Sequence, residues 1–194
     1  MKYALISDTH GNYPALRAVL DDAEKMKVEQ YIFVGDYYMG VPFTERVMAL
    51  IKELAPGSCM IRGNREDEGE MLSGCAWKDR SNGQFQAAYW YCRLSEEDKK
   101  FLMNLPRIVT LDGGLHIEHR SSDFIGSVEA SIFLRELIPL FQGKRPIRTE
   151  INVAISEILE ANGELAREAA ALEDGIYIFG HSHMQWYKQY GKNI

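Results

Sequence analysis

The stretch that decides the fold reads YALISDTH and covers residues 3–10. Its first half is apolar and its second half is polar, which is typical of a buried strand that ends in a loop. Beyond Tyr13, apolar residues recur at helical spacing, and Pro14 is tolerated because it falls in the first turn. The residues on this stripe are Leu16, Val19, Leu20 and Ala23. The sequence therefore predicts a strand over 3–6 followed by an amphipathic helix.

The same pattern of a strand followed by a helix repeats further along the chain. A second apolar run at 31–34 breaks at Gly-Asp, residues 35–36, and helical periodicity then covers 43–54. A third run at 58–61 ends at Gly-Asn, residues 63–64. Alternating strands and helices predict a parallel sheet covered by helices. In such sheets, ligands gather at the carboxyl ends of the strands, where the loops converge.

The later segments are less regular. The predicted elements are a helix over 77–94, a helix capped by Ser95, a hairpin of strands over 108–111 and 115–118, helices over 127–141 and 149–172, and a strand over 176–179. We expect one domain over residues 1–194, with helical insertions near 75–106 and 120–174. A final hairpin is predicted to begin near Gln185 and to run to Ile194.

Composition excludes several classes of protein. The chain has 194 residues, 46% of them hydrophobic and 26% charged, as in an ordinary globular protein. A net charge of -6 argues against binding to duplex nucleic acid, which requires a basic face. The cysteines show no C-x-x-C spacing, which favours a reducing, cytoplasmic setting. No apolar run approaches the roughly 18 residues of a membrane helix. The sequence is compatible with a homo-oligomer.

Candidate metal ligands stand where the predicted strands end. They are Asp8, His10, Asp36, Asn64, His119, His181 and His183. These oxygen and nitrogen ligands are too many for one tetrahedral ion, but they suit two ions that share a carboxylate. Two metals about 3.5–4 Å apart are a standard arrangement for in-line attack on a phosphorus ester. The sequence therefore predicts a metal-dependent phosphoesterase.

Each of these motifs has a simpler explanation when it is taken alone. An Asp-x-His after a strand is commonly a helix-capping carboxylate and a polar loop residue, and Gly-Asp and Gly-Asn are common turn dipeptides. His-x-His occurs both in metal sites and in ordinary loops. The order of the motifs favours a metal site, because each follows a predicted strand and the ligand types are complementary.

The motifs also occur in the order of a known family. They are Asp8-Thr9-His10, Gly35-Asp36, Gly63-Asn64-Arg65-Glu66, the lone His119 and Gly180-His181-Ser182-His183. The chain resembles the calcineurin-like metallophosphoesterases, whose motifs are D-x-H, G-D, G-N-H-[DE], H and G-H-x-H. It is most similar to the compact bacterial and archaeal branch that includes phosphodiesterases. This resemblance implies an α/β fold, a four-layer α/β/β/α sandwich of two mixed sheets flanked by helices. Members of the family continue beyond G-H-x-H through a hairpin and a further loop, so we expect the carboxyl-terminal end of the domain to be incomplete in this chain.

By position, the resemblance implies two groups of three metal ligands that are joined by a bridging carboxylate. The groups are Asp8, His10 and His183 for the first metal and Asn64, His119 and His181 for the second, with Asp36 as the bridge. Carboxylate and amide oxygens suit hard divalent ions, and imidazoles shift the preference away from magnesium. We expect two divalent ions. Manganese is the expected metal, and iron, nickel, zinc and magnesium are the alternatives.

The implied activity is hydrolysis of a phosphodiester by attack of a metal-bridging hydroxide. The expected substrate is a phosphate ester of a small molecule or a nucleotide. The residues expected to act in catalysis are His10, Asp36, Asn64 and Arg65. One alternative is a phosphomonoesterase, either a protein phosphatase or a dinucleotide polyphosphate hydrolase. The other alternative is a non-catalytic scaffold on the same fold.

Arg65 departs from the family pattern, because it replaces the histidine of G-N-H-[DE]. Arginine cannot donate a proton near neutral pH, but it can hold phosphate oxygens in a bidentate fork. The alternative interpretation is a solvated arginine paired with Glu66 or Asp67. Loss of the histidine favours diesters with good leaving groups, because a poor leaving group benefits more from protonation.

Two further positions have structural and functional interpretations. Tyr37 and Tyr38, next to Asp36, either border a nucleobase pocket or anchor their loop. His116 precedes His119 by three residues, so on a strand the two side chains face opposite ways. We therefore predict a structural role for His116.

Overall fold

Three short parallel strands form the first sheet. The computed structural model describes residues 1–39, 43–74, 83–120, 157, 163–181, 183 and 187–194. The strands are β1 (Tyr3–Ile6), β2 (Gln30–Val34) and β3 (Cys59–Ile61), and they lie in the order β1-β2-β3. Ile6 pairs with Phe33, and Phe33 pairs with Met60. The predicted parallel sheet is therefore present, and its three carboxyl ends lie at one edge.

Two amphipathic helices connect these strands. Helix α1 (Tyr13–Lys25) follows β1, and α2 (Thr44–Leu54) follows β2. Leu16, Leu20 and Ala23 of α1 are buried, as the helical spacing predicts. Val19 is an exception to the predicted stripe, since 46% of it is exposed. The side chains that α2 buries are Thr44, Val47, Met48 and Ile51.

Helix α3 (Asn64–Leu72) was not predicted from the sequence. Its sequence, NREDEGEML, has no apolar stripe, so periodicity gives no sign of a helix. The residues that it buries are Glu66 and Gly69. A Cβ at position 69 would overlap the hydroxyl oxygen of Tyr38 and approach the Cβ of Tyr91 at 2.9 Å. Because Gly69 has no side chain, α3 packs close to Tyr38 and Tyr91, although it has no apolar stripe.

The remaining elements lie within the predicted ranges where they are described, but the helix predicted over 77–94 ends at Tyr91. They are α4 (Gly83–Tyr91), α5 (Glu96–Asn104), β4 (Ile108–Leu111), β5 (Leu115–Glu118), α6 (Gly163–Ala171) and β6 (Ile176–Phe179). Ser95 caps α5, because its hydroxyl oxygen accepts from the N–H of Asp98 at 3.0 Å. Strands β4, β5 and β6 form a second sheet in that order. The predicted helix over 127–141 lies outside the described residues, and so does most of 149–162.

Contacts divide the chain into two compact units. The first unit contains Met1–Val109, Ile117–His119 and Phe179–His181, and the second contains Thr110–His116, Arg120–Ile178 and Ser182–Ile194. The first unit holds the core, whose largest buried side chains include Phe33, Tyr37, Tyr38 and Met48. The expectation of one domain with two insertions stays a prediction. Within the described ranges, every helix is too short or too polar to cross a lipid bilayer.

In the second unit, Asn193 holds the last residues of the chain in place. Its side-chain amide donates to the carbonyl of Ala169 at 2.9 Å, and its amide oxygen accepts from the N–H of Gly175 at 2.8 Å. Tyr190 and Asn193 pair across a tight turn. The described part of the predicted final hairpin is this tight turn, and the residues where the hairpin is predicted to begin lie outside the described ranges.

Two left-handed glycines provide a test of how tightly the first sheet's loops are packed. Gly35 has φ +85°, and a Cβ there would overlap the backbone of Gly63. Gly57 has φ +90°, but no described atom lies within 4 Å of its hypothetical Cβ. Gly57→Ala should therefore lower the free energy of unfolding by about 1 kcal/mol through backbone strain alone. Gly35→Ala should cost about 3 kcal/mol, because steric overlap adds to the strain. Urea unfolding checks both values, and equal losses would contradict the packing described here.

Candidate metal centre

Backbone hydrogen bonds join the loops that follow β1 and β2. The N–H of Asp8 donates to the carbonyl of Gly35 at 3.1 Å. The N–H of His10 donates to the carbonyl of Asp36 at 3.0 Å. Because the strands are parallel neighbours, both loops leave the same edge of the sheet. Asp8 and Asp36 therefore lie in adjacent, connected loops.

Two aspartates and two histidines cluster at this edge. The Nε2 atom of His10 lies 3.8 Å from Asp8 Oδ1 and 3.8 Å from Asp36 Oδ2. The Nε2 atom of His119 lies 3.4 Å from Asp36 Oδ2 and 3.9 Å from Asp8 Oδ1. Asp36 and His119 are 1% and 3% exposed, respectively, so their charges are shielded from water. The structure thus places carboxylate oxygens and imidazole nitrogens around one small volume.

Asn64 and His181 complete a second group beside Asp36. The Oδ1 atom of Asn64 lies 3.1 Å from His119 Nε2 and 2.8 Å from His181 Nδ1. Asp36, His119 and His181 each offer a ligand atom, and these three atoms all lie within 4.8 Å of one another. The Nδ1 atom of His119 contacts the carbonyl of Val34, which leaves Nε2 to face the carboxylate of Asp36. Such an outer contact is typical of a metal-binding histidine, because it fixes the ring orientation.

The carboxylate of Asp8 is held by one of its two oxygens. Asp8 Oδ2 accepts from the hydroxyl of Ser7 at 2.5 Å and from the N–H of His181 at 2.9 Å. Oδ1 faces His10 and His119 instead. These contacts orient the carboxylate, because hydrogen bonds fix one oxygen while the other faces the imidazoles.

Strained backbone is concentrated at the predicted ligands. The non-glycine residues with left-handed φ among the described residues are Asp8 (55°), His10 (45°), Lys27 (55°), Asp36 (55°), Met39 (90°), His181 (69°) and His183 (56°). Five of these seven are predicted ligands, and each such conformation costs about 1–2 kcal/mol. Conformations of this kind cluster at functional sites, where the surrounding structure enforces them. His183 belongs to the second unit, and its role as a ligand stays a prediction.

Glu66 is a site residue that the sequence analysis did not identify. Its carboxylate is fully buried and accepts three backbone N–H bonds, from Asp36 at 3.0 Å, Tyr37 at 2.9 Å and Gly63 at 2.7 Å. Burial and the charge of Asp36 raise the pKa of Glu66 to about 7, although the three N–H donors act in the opposite direction. Its position at the end of the G-N-R-E motif is the only sequence signal that indicates this role.

Arg65 lies beside Asp36, the predicted bridging ligand, and pairs with Glu68. Its N–H donates to Asp36 Oδ1 at 2.9 Å, and its Nε lies 3.9 Å from Asp36 Oδ2. Its Nη1 donates to Glu68 Oε2 at 2.7 Å. The proposed pairing with Glu66 or Asp67 is therefore wrong. Glu66 is occupied by backbone N–H groups, and the Asp67 carboxylate pairs with two other arginines, Arg62 and Arg107.

The neighbouring aromatic residues have structural roles. The hydroxyl of Tyr37 donates to the carbonyl of Ile61 at 2.7 Å, and that of Tyr38 donates to the carbonyl of Arg65 at 2.6 Å. Both rings are buried, so they anchor the loop that carries Asp36. In the second unit, His116 stacks on Tyr177 with ring centroids 4.6 Å apart, in agreement with its predicted structural role.

The electrostatics of the cluster suit a divalent cation. Burial lowers the pKa of His119, but its hydrogen bond to Asp36 and the charges of Asp36 and Asp8 outweigh this effect and raise the pKa to about 9. The pKa rises because two carboxylates are concentrated next to one imidazole, and a bound cation would neutralise the same charge. The donor set of carboxylate and amide oxygens with imidazole nitrogens fits divalent transition metals.

An α/β fold with carboxylate, amide and imidazole side chains at the carboxyl ends of its strands is typical of phosphoesterases that use divalent metal ions. The chain belongs to the calcineurin-like phosphoesterase family, whose sequence profile matches residues 1–185. The predicted family resemblance and the predicted α/β fold class are both confirmed by this match. No curated protein compared with the chain matches it.

Several solved structures are similar to the chain. A metallophosphoesterase from Sphaerobacter thermophilus is 29% identical, with a TM-score of 0.50, over 62% of this chain and 47% of that one. A hypothetical protein from Pyrococcus horikoshii OT3 has a TM-score of 0.53 at 16% identity, over 91% of this chain and 68% of that one. A phosphoesterase from E. coli has a TM-score of 0.48 at 18% identity, over 100% of this chain and 76% of that one. The chain spans about half the length of the Sphaerobacter structure.

Substitution of Glu66 tests its role in holding the site. Glu66→Ala would leave three buried N–H groups without acceptors, each at a cost of about 1–3 kcal/mol. We therefore expect the free energy of unfolding to fall by at least about 3 kcal/mol. Glu70→Ala is the matched control, because Glu70 is an exposed glutamate on the same helix and should change stability by less than about 0.5 kcal/mol. Similar losses in the two variants, measured by urea unfolding, would show that the three hydrogen bonds contribute little.

Proposed function

We propose that the protein is a two-metal phosphoesterase and that its preferred substrates are phosphodiesters. One observation carries the proposal: predicted ligands that are scattered along the sequence lie together in one unit, at the carboxyl ends of the first sheet's strands and beside them. These residues are Asp8, His10, Asp36, Asn64, His119 and His181. Membership of a phosphoesterase family supports the same conclusion.

In this proposal, two groups of ligands share Asp36. Asp8 and His10 belong to the first group with His183, and Asn64, His119 and His181 form the second. Manganese is the ion that we expect, since imidazole nitrogens favour it over magnesium. When bound, the two ions would neutralise the phosphate oxygens and activate the attacking water.

The chain's own residues position the substrate. Asp36 is fixed at Oδ1 by the backbone N–H of Arg65, so its Oδ2 faces His10 and His119. The guanidinium of Arg65 is one-quarter exposed and is proposed to contact the phosphate oxygens. His10, whose side chain is 18% exposed, lies on the more accessible side of the cluster.

The preference for diesters follows from the chemistry of Arg65. In place of a histidine, the motif carries a side chain that cannot protonate a leaving group near neutral pH. Diesters with good leaving groups need this protonation least. We propose that the substrate is a phosphate ester of a small molecule or a nucleotide. We also propose that the protein acts in the cytoplasm.

Hydrolysis of two chromogenic esters tests the proposal. Bis-p-nitrophenyl phosphate and p-nitrophenyl phosphate would be compared with added manganese, and again after a chelator. We expect metal-dependent cleavage that favours the diester. A preference for the monoester would instead support a phosphomonoesterase. Lack of turnover of both esters by the manganese-loaded protein would favour the non-catalytic scaffold.

Asp36→Asn tests the shared carboxylate. Because the substitution removes the charge that both ions would share, we expect activity to fall at least about a thousandfold and manganese binding to weaken. Equilibrium dialysis measures the binding independently of turnover. Asp21→Asn, on the exposed face of α1, is the control and should leave both properties unchanged. If Asp36→Asn retains full turnover, the two-metal assignment is wrong.

A further inference from the structure

Glu68 contacts two residues of the proposed site at once. Its Oε1 accepts from the side-chain amide of Asn64 at 3.1 Å, and its Oε2 accepts from Nη1 of Arg65 at 2.7 Å. Glu68 lies four positions after Asn64 and three after Arg65, so all three share one face of α3. Its side chain is 19% exposed, which places the carboxylate in a poorly solvated position. The sequence motifs gave no role to this residue.

The contact with Asn64 fixes which end of its amide faces the metal centre. Because the NH₂ group donates to Glu68, the amide oxygen is directed at His119 and His181. Only the oxygen of an asparagine side chain binds a metal ion. Glu68 therefore orients Asn64 as a ligand.

The contact with Arg65 brings a negative charge next to the proposed phosphate contact. Arg65 lies between two carboxylates, with Glu68 at 2.7 Å from Nη1 and Asp36 at 3.9 Å from Nε. A phosphate that binds the guanidinium must therefore approach Glu68 as well. Each additional negative charge on the phosphate increases the repulsion from this carboxylate.

We propose that Glu68 makes the site favour phosphate groups with one negative charge over those with two, and so selects diesters over monoesters. This inference rests on the proposed function. A phosphodiester carries one charge at pH 8, whereas a monoester carries two because its second pKa is about 6. Glu68 repels the dianion more strongly, while its ion pair still leaves Arg65 able to hold a monoanion.

Binding to the manganese-loaded protein tests the inference without relying on turnover. Calorimetry at pH 8 would compare inorganic phosphate, which is mainly a dianion, with dimethyl phosphate, a monoanion. In Glu68→Gln, we expect the affinity for phosphate to rise about tenfold relative to that for dimethyl phosphate. The matched control is Glu70→Gln, which removes the same charge from an exposed position on the same helix and should change neither affinity.

Kinetics provide a second measurement. The ratio of kcat/KM for bis-p-nitrophenyl phosphate to that for p-nitrophenyl phosphate should fall about tenfold in Glu68→Gln. A residue that only positions Asn64 and Arg65 would slow both esters equally, and an unchanged ratio together with unchanged relative affinities overturns the inference. If the wild-type protein does not cleave the diester, the proposed function fails instead, and the binding measurement still decides the role of Glu68.

Discussion

Three backbone N–H groups from two loops converge on one buried carboxylate, that of Glu66. Two of the donors flank the side chain of Asp36, and the third belongs to Gly63 at the exit of β3. These hydrogen bonds therefore hold the loop that carries Asp36 next to the start of α3, where Asn64 lies. Close approach of the two loops is feasible only because both Gly35 and Gly63 lack a Cβ. Without this carboxylate, the three N–H groups would lose their common acceptor.

Much of this arrangement could be predicted from the sequence. Short apolar runs that end in polar residues predicted the strands, and parallel strands explain why Asp8 and Asp36 meet. Helix α3 could not be predicted, because a helix that buries a glutamate and a glycine has no apolar period. The hydrogen-bond partners of Glu66 and Glu68 could not be predicted from the sequence either. Glu66 binds N–H groups about thirty positions away, and sequence patterns do not record such hydrogen bonds.

Arg65 shows how the structure corrects one of two interpretations that the sequence leaves open. Sequence alone allowed either a phosphate contact or a solvated ion pair with Glu66 or Asp67. In the structure Arg65 is in an ion pair, but its partner is Glu68, and it lies beside Asp36. Its contact with phosphate stays a prediction. An arginine that is paired beside the candidate ligands adds less uncompensated charge to the cluster than an unpaired arginine would.

The spacing of the ligands along the chain also affects how the centre is assembled during synthesis. Asp8 and His181 are 173 positions apart, yet the N–H of His181 donates to the Asp8 carboxylate. Ribosomes add about 5–20 residues per second, so roughly ten to thirty-five seconds separate the emergence of these two residues. A nascent chain therefore exposes its amino-terminal aspartate and histidine well before the last imidazoles exist. The proposed second group of ligands, Asn64, His119 and His181, is therefore complete only once the final strand, β6, has left the ribosome.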